Sequence, residues 1–299
     1  MRNKNLIGTG VALITPFNED YSIDFESLDQ LLDHLVNNEI DYLVVMGTTA
    51  ESATLSKEEQ KHLLKYIKVK INSQLPIVLG VGGNDTNEII KRINDFELDG
   101  VEAILSVSPY YNKPTQEGLF AHYEKIAKHS PLDLILYNVP GRTASDISVE
   151  TVVNLAQKYS NIIGIKEASG DVSKVMSLIA HCPDDFMVIS GDDKMTFPTM
   201  ILGGVGVISV QAMAFPKLFS HMVNSCLGGS FKSAKKAHYE LLKSVDSFYI
   251  EGNPAGVKQA LFKLGVCSSN QLRLPLVRMG FENANKLSSL IDQTRDNKN

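Results

Sequence analysis

Ile162-Ile163-Gly164-Ile165-Lys166-Glu167 is an apolar run of strand type that ends in a lysine. Seven more short runs of this kind punctuate the chain: Val11–Ile14, Tyr42–Met46, Ile77–Leu79, Ala103–Val107, Leu134–Tyr137, Phe186–Ile189 and Val205–Val210. Their spacing is mostly that of a βα unit, roughly 20 to 35 residues. Several are apolar throughout, as strands covered on both faces must be. Helix-period patterns lie between them. Leu28, Leu31, Leu32 and Leu35 share one face, as do Ile89, Ile90, Ile93 and Phe96; Val149, Val152, Val153 and Ala156; and Val172, Val175, Met176 and Ile179. Ser56 with Glu59 spells a capping box, and Asp85 with Glu88 a related one. Eight strands alternating with helices predict an α/β chain folded as a (β/α)8 TIM barrel over residues 1–222. An open doubly wound sheet fits less well, because no Gly-x-Gly-x-x-Gly follows a strand. Beyond Pro216 the strand signal stops. Residues 223–299 read as a C-terminal helical region, with helices over Phe231–Tyr249, Pro254–Leu264 and around Asn283–Asp292, and a frayed polar tail at Gln293–Asn299.

Composition removes whole classes of function. Of 299 residues 43% are hydrophobic and 21% charged, with a net charge of -5 and no basic stripe, which argues against nucleic acid and anionic membrane as partners. The start, Met1-Arg2-Asn3-Lys4-Asn5, leads into a short apolar stretch broken by Gly8, Gly10 and Pro16, unlike a secretory signal. No run of about 18 apolar residues is present to span a bilayer. Cys182, Cys226 and Cys267 are far apart and odd in number, which suits a reducing cytoplasm better than a disulfide framework. No Cys-x-x-Cys or His-Glu-x-x-His occurs, so no metal site is expected.

Lys166 sits where a strand meets the rim of a buried layer. Partial desolvation there disfavours the ammonium and lowers its pKa, and a neutral amine attacks ketones and aldehydes. The plainer alternative is a lysine whose stem covers apolar surface while its head reaches water. Barrel enzymes carry reacting groups at the C-terminal ends of strands. Those ends here offer Gly47-Thr48-Thr49-Ala50-Glu51-Ser52, Gly82-Gly83-Asn84-Asp85, Ser108-Pro109-Tyr110-Tyr111-Asn112-Lys113-Pro114, Tyr137-Asn138-Val139-Pro140-Gly141-Arg142-Thr143, Lys166 and Gly191-Asp192-Asp193. Each has a structural alternative. Thr48 and Thr49 suit a capped turn. Tyr110 and Tyr111 suit rim aromatics, and Tyr137 a core ring with a bonded hydroxyl. Arg142 suits a solvated turn. Asp192 and Asp193 suit a helix cap better than a Mg²⁺ pair, and Gly203-Gly204-Val205-Gly206 suits a tight turn better than a phosphate loop. As a set they say more. One amine, two or three hydroxyls and one guanidinium at one barrel mouth suit carbonyl chemistry on an anionic substrate, by a Schiff-base lyase or aldolase.

Gly47–Ser52, Pro109–Pro114, Tyr137–Thr143, Gly164–Glu167 and Gly206-Val207-Ile208-Ser209-Val210, in this order and spacing, resemble the dihydrodipicolinate (4-hydroxy-tetrahydrodipicolinate) synthase family of class I pyruvate-dependent barrel enzymes. The likeness runs almost end to end and includes Glu251-Gly252-Asn253-Pro254-Ala255-Gly256-Val257-Lys258 and Leu272-Arg273-Leu274-Pro275. It implies condensation of pyruvate with L-aspartate 4-semialdehyde in lysine and diaminopimelate biosynthesis, without metal or other cofactor, by a homotetramer built as a dimer of dimers. It implies Lys166 as the Schiff-base lysine and Tyr137 as its proton relay, completed by Thr48 and by Tyr111 from a neighbouring subunit. Thr49 and the Ile208 backbone would hold the pyruvate carboxylate near Gly191, and Arg142 the carboxylate of the second substrate. Gly141-Arg142-Thr143 and the doubled Thr48-Thr49 favour the synthase over an N-acetylneuraminate lyase or another keto-sugar-acid aldolase. A non-catalytic barrel that binds a keto acid is the remaining alternative, and intact Lys166, Tyr137 and Thr48 weigh against it.

Two departures stand out. Ala50 occupies a position that is usually glycine, which would strain the loop if that position needed positive φ. Relatives inhibited by lysine bind it through positions matching Ser52, Ala53, Asn84, Glu88 and Tyr110, all present, but two histidines of that site are replaced by Lys57 and Gln60. A cationic Lys57 beside a cationic ligand predicts weak or absent lysine inhibition.

Overall fold

The computed structural model describes residues 3–296. Eight parallel strands close into a barrel in sequence order: β1 (Gly8–Ala12), β2 (Tyr42–Val45), β3 (Ile77–Gly80), β4 (Ala103–Val107), β5 (Asp133–Asn138), β6 (Ile162–Glu167), β7 (Met187–Ser190) and β8 (Gly206–Ser209). β8 returns to β1 with Gly8 opposite Gly206 and Gly10 opposite Ile208. This is the expected (β/α)8 barrel, and every strand lies on a run foreseen from apolarity. β1 is displaced furthest, beginning at Gly8 rather than Val11, because its first half, Gly8-Thr9-Gly10, carries little apolar signal. Closure explains the glycines. A Cβ on Gly206 would stand 2.2 Å from the Gly8 carbonyl oxygen, and one on Gly10 2.3 Å from the Tyr42 ring.

The helices that follow β1 to β8 cover the barrel: Phe25–Val36, Lys57–Ile71, Thr86–Asp95, Gln116–His129, Val149–Lys158, Val172–His181, Thr196–Ile201 and Pro216–Leu227. Asp24, Ser56, Asp85, Thr115, Ser148 and Asp171 each open a helix by accepting backbone N–H groups that would otherwise lack partners. The Ser56/Glu59 capping box forms in both directions. At Asp85 only half of the expected box forms. Its carboxylate accepts from the N–H groups of Asn87 and Glu88, while the Glu88 side chain turns to Lys57. Leu28, Leu31, Leu32 and Leu35 are all buried, as their spacing predicts. The face expected for Val172–His181 is rotated. Val172 and Met176 are exposed, and Lys174, Val175 and Leu178 are buried. Lys174 is drawn inward by ion pairs with Asp146 and Glu167, which a hydropathy pattern does not register.

Pro216–Leu227 carries no strong sequence signal, yet it buries Phe219, Met222, Val223 and Cys226. The division expected after residue 222 therefore falls inside the eighth helix of the barrel. Phe231–Tyr249, Ala255–Lys263 and Phe281–Asp296 follow as the C-terminal helices. The last one includes Gln293 and Thr294, whose hydroxyl donates to the Leu290 carbonyl at 2.8 Å, so the tail is ordered further than expected. Asn297–Asn299 of that tail, and Met1 and Arg2 at the start, lie outside the described residues. No helix among the described residues is long and apolar enough to cross a membrane. No disulfide joins Cys182, Cys226 and Cys267.

Candidate active site

Tyr137 on β5 pairs in register with Lys166 on β6. Side chains at matched positions of neighbouring parallel strands point to the same face. The Lys166 Nζ accordingly lies 4.4 Å from the centroid of the Tyr137 ring. Both side chains are buried, at 6% and 9% exposure, which removes the alternative of a lysine reaching into solvent. Burial lowers the Lys166 pKa to about 8; Asp193 opposes this and the Arg142 charge adds to it. Burial also pushes the Tyr137 hydroxyl up to about 12, with Arg142 pulling it down and Glu167 pushing it further up. At neutral pH the pair is thus a partly neutral amine beside a protonated phenol.

The neighbouring strands complete the cup. A Cβ on Gly191 would lie 3.0 Å from both Cγ and Cε of Lys166, so glycine at the end of β7 leaves room for the lysine stem. Ile208 is buried in β8. Arg142 is exposed in the short helix Pro140–Thr143, close enough for its charge to act on both Lys166 and Tyr137. Thr48 is exposed and Thr49 buried in a 3-10 turn, Thr48–Ala50, directly after β2. Ala50 is not strained. Positive φ in this loop falls on Met46, at 58°, and Glu51, at 53°, and the Thr15 hydroxyl donates to the Ala50 carbonyl at 2.7 Å.

Tyr111 stands apart from its own barrel mouth. Its φ is 69° and its side chain is 91% exposed, so this tyrosine does not reach the Lys166 of its own chain. Tyr110 is also exposed, and its carbonyl accepts from the Asn84 side chain at 3.2 Å. Ser52 and Ala53 lie in the following 3-10 turn, Ser52–Thr54. Lys57 Nζ meets Glu88 Oε1 at 2.8 Å, and Gln60 Nε2 donates to the carbonyls of Ser52 at 2.9 Å and Leu55 at 3.1 Å. Lys57 and Gln60 thus engage Glu88 and Ser52 directly.

The acidic pair splits. Asp192 accepts from the N–H groups of Lys194 and Met195, turning the chain just before the helix Thr196–Ile201. Asp193 is buried and accepts from the Tyr249 hydroxyl at 2.6 Å and the Gln211 N–H at 2.9 Å. Among the described residues no group of three His, Cys, Asp or Glu is placed to hold a metal. Gly203, with φ 113°, makes the turn before β8. Sequence reasoning assigned no partner to Tyr249 or Asn253. Asn253 Nδ2 donates to Thr49 Oγ1 at 2.7 Å. The only signal for it was the stretch Glu251–Lys258, noted for its likeness and given no role.

A parallel barrel that buries a lysine of lowered pKa against a tyrosine at a strand end defines the class of enzymes that open their reaction by adding an amine to a carbonyl. The chain belongs to the dihydrodipicolinate synthetase family, whose sequence model matches residues 5–294. It is 47% identical over 287 residues to a Flavobacterium psychrophilum protein named 4-hydroxy-tetrahydrodipicolinate synthase, covering 96% of this chain and 98% of that one. The solved 4-hydroxy-tetrahydrodipicolinate synthase of Methylacidiphilum fumariolicum superposes with a TM-score of 0.94 at 40% identity, over 97% of this chain and 96% of that one. The dihydrodipicolinate synthase of Acinetobacter baumannii, solved in complex with pyruvate, gives a TM-score of 0.94 at 38% identity, over 97% and 99%.

Proposed function

We propose that this enzyme condenses pyruvate with L-aspartate 4-semialdehyde to give 4-hydroxy-tetrahydrodipicolinate, through a Schiff base on Lys166. The observation that carries the reading is the buried Lys166 amine, held against Tyr137 at the C-terminal end of the barrel. The neutral amine adds to the pyruvate ketone and water leaves, forming an imine. The protonated imine draws electrons from the methyl group, which loses a proton to give an enamine. The enamine carbon attacks the aldehyde of the second substrate. The amino group of that substrate then adds to the imine carbon, closes the ring and releases Lys166. Every step is an addition to a carbonyl or imine carbon, the elimination of water or of the Lys166 amine, or a proton transfer. Tyr137 relays the protons, with Thr48 completing the relay and Tyr111 supplied by a neighbouring subunit. Thr49, the Ile208 backbone and the space at Gly191 receive the pyruvate carboxylate. Arg142 takes the carboxylate of the aldehyde. The exposure of Tyr111 supports an oligomer at least dimeric; we read it as a dimer of dimers that acts in the cytoplasm, in lysine and diaminopimelate synthesis. The C-terminal helical region expected at residues 223–299 is read as an appendage to the barrel that begins after the helix Pro216–Leu227.

A condensation assay tests the reading. Pyruvate and aspartate semialdehyde should turn over, and N-acetylneuraminate should not be cleaved; the reverse pattern would make this a sugar-acid lyase. Arg142→Ala should raise half-saturation for the aldehyde by about ten- to a hundredfold, the worth of a charged hydrogen bond. Pyruvate adduct formation should survive it, and loss of that adduct would refute the role given to Arg142.

Lysine inhibition should be absent at millimolar concentration. The Glu88 carboxylate is paired with Lys57, and the Ser52 carbonyl is taken by Gln60. An incoming ammonium would have to displace the Lys57 cation from Glu88 and the Gln60 amide from the Ser52 carbonyl. Inhibition by lysine at millimolar or lower concentration in a steady-state assay would overturn this expectation. Lys57→Ala should make the enzyme more sensitive to lysine than the parent.

A further inference from the structure

Three contacts run from the C-terminal region to the loop after β2. Asn253 Nδ2 donates to Thr49 Oγ1 at 2.7 Å, from 204 residues away in sequence. Lys258 Nζ and Glu51 Oε1 form an ion pair at 2.5 Å, with side chains only 1% and 0% exposed. The Arg273 N–H donates to Glu51 Oε2 at 2.9 Å. Lys258 is held in turn by the Gln271 carbonyl at 2.8 Å and lies 4.2 Å above the Phe17 ring. Glu51 is also one of two residues in this loop with positive φ, the other being Met46. A buried carboxylate bound from two sides fixes the backbone that carries it.

The chemistry of the Thr49 contact is directional. A hydroxyl has one proton to give and two lone pairs to receive with. The Asn253 amide nitrogen only donates, so Thr49 Oγ1 is the acceptor there. Its own proton is then turned toward a different acceptor. A carboxylate, which only accepts, is the matching group.

We propose that Asn253 is a positioning residue that makes Thr49 a donor to the substrate carboxylate, and that the Glu51–Lys258 pair anchors the loop on which Thr49 rides. The C-terminal helices are on this view part of the machinery that selects a keto acid over a neutral ketone. The inference rests on the carboxylate role given to Thr49 under Proposed function.

The test traps the Lys166 imine with borohydride in the full-length protein and reads it by intact mass, using pyruvate and, separately, acetone, which lacks the carboxylate. Asn253→Ala and the nearly isosteric Asn253→Asp should each raise half-saturation for pyruvate about tenfold, the scale of one lost hydrogen bond. Trapping of acetone should be unchanged, which also reports an intact fold and a competent Lys166. Asn253→Ala combined with Thr49→Val should be no worse for pyruvate than Thr49→Val alone. Equal losses for both ketones, no loss for pyruvate, or additive losses in the double variant would each overturn the proposal. Thr49→Val without effect on pyruvate would remove the carboxylate role of Thr49 and the proposal with it. An effect in Thr49→Val but none in either Asn253 variant would overturn the proposal alone.

Discussion

Lys166→Ala is expected to abolish the borohydride-trapped pyruvate adduct and to reduce turnover to background. No other amine lies at the end of β6, and the reaction has no carbonyl electrophile activated without one. In the parent enzyme, formation of the adduct should depend on pH in a defined sense. The reactive form is the neutral amine. With a pKa of about 8, about one lysine in ten is neutral at pH 7, against fewer than one in a thousand for an ordinary lysine. The adduct should therefore form about tenfold faster per pH unit up to pH 8 and level off above it. A rate still climbing at pH 10 would show that burial does not prime the amine. The same burial has a cost in stability. Between pH 8 and 10.5 the unfolded chain binds the proton that the folded one has lost, so stability rises with pH across that window and the full penalty is felt below it. Lys166→Met, which fills similar space without a charge, should melt at a higher temperature than the parent at pH 7. An adduct that persists in Lys166→Ala would end the Schiff-base reading.

Tyr137→Phe is expected to keep the adduct and lose turnover by about 10²- to 10⁴-fold, the range for a deleted proton-transfer group. The substitution is informative because phenylalanine keeps the ring that lies 4.4 Å from the lysine nitrogen. Packing around Lys166 and its desolvation are retained, so the hydroxyl alone is removed. Its pKa of about 12 keeps that hydroxyl protonated at neutral pH, which makes it a neutral relay between proton donor and acceptor. Single-turnover trapping separates the steps. Adduct formation should fall less than the complete reaction, since the amine is intact and the later proton transfers are not. Steady-state turnover within threefold of the parent would mean that the protons travel by another route.

Much of the barrel was legible because parallel strands buried on both faces must be apolar at nearly every position, and that demand is written locally. β6 and β4 could be placed almost to the residue on this basis. β1 was misplaced at its start because closure of the barrel asks for small residues there, and Gly8 and Gly10 look like a turn in one dimension. Lys166 stood out as a charge at the end of an apolar run. Lys174, buried by Asp146 and Glu167, did not, because its partners come from other βα units. The concern over Ala50 was placed one residue early, since backbone dihedrals in a six-residue loop depend on what grips it from outside.

The amino-acid order by itself determined the eight-fold alternation, the helix starts and the end of β6 as the place where an amine meets the barrel mouth. Those features follow from local periodicity, capping chemistry and burial. Only the tertiary structure decided that Asn253 bears on Thr49, that Lys258 and Glu51 share a buried ion pair, and that Tyr249 serves Asp193. Single polar contacts between distant segments have no period and no composition to betray them. They exist because a buried donor must find an acceptor, and the folded chain alone says which one is within reach.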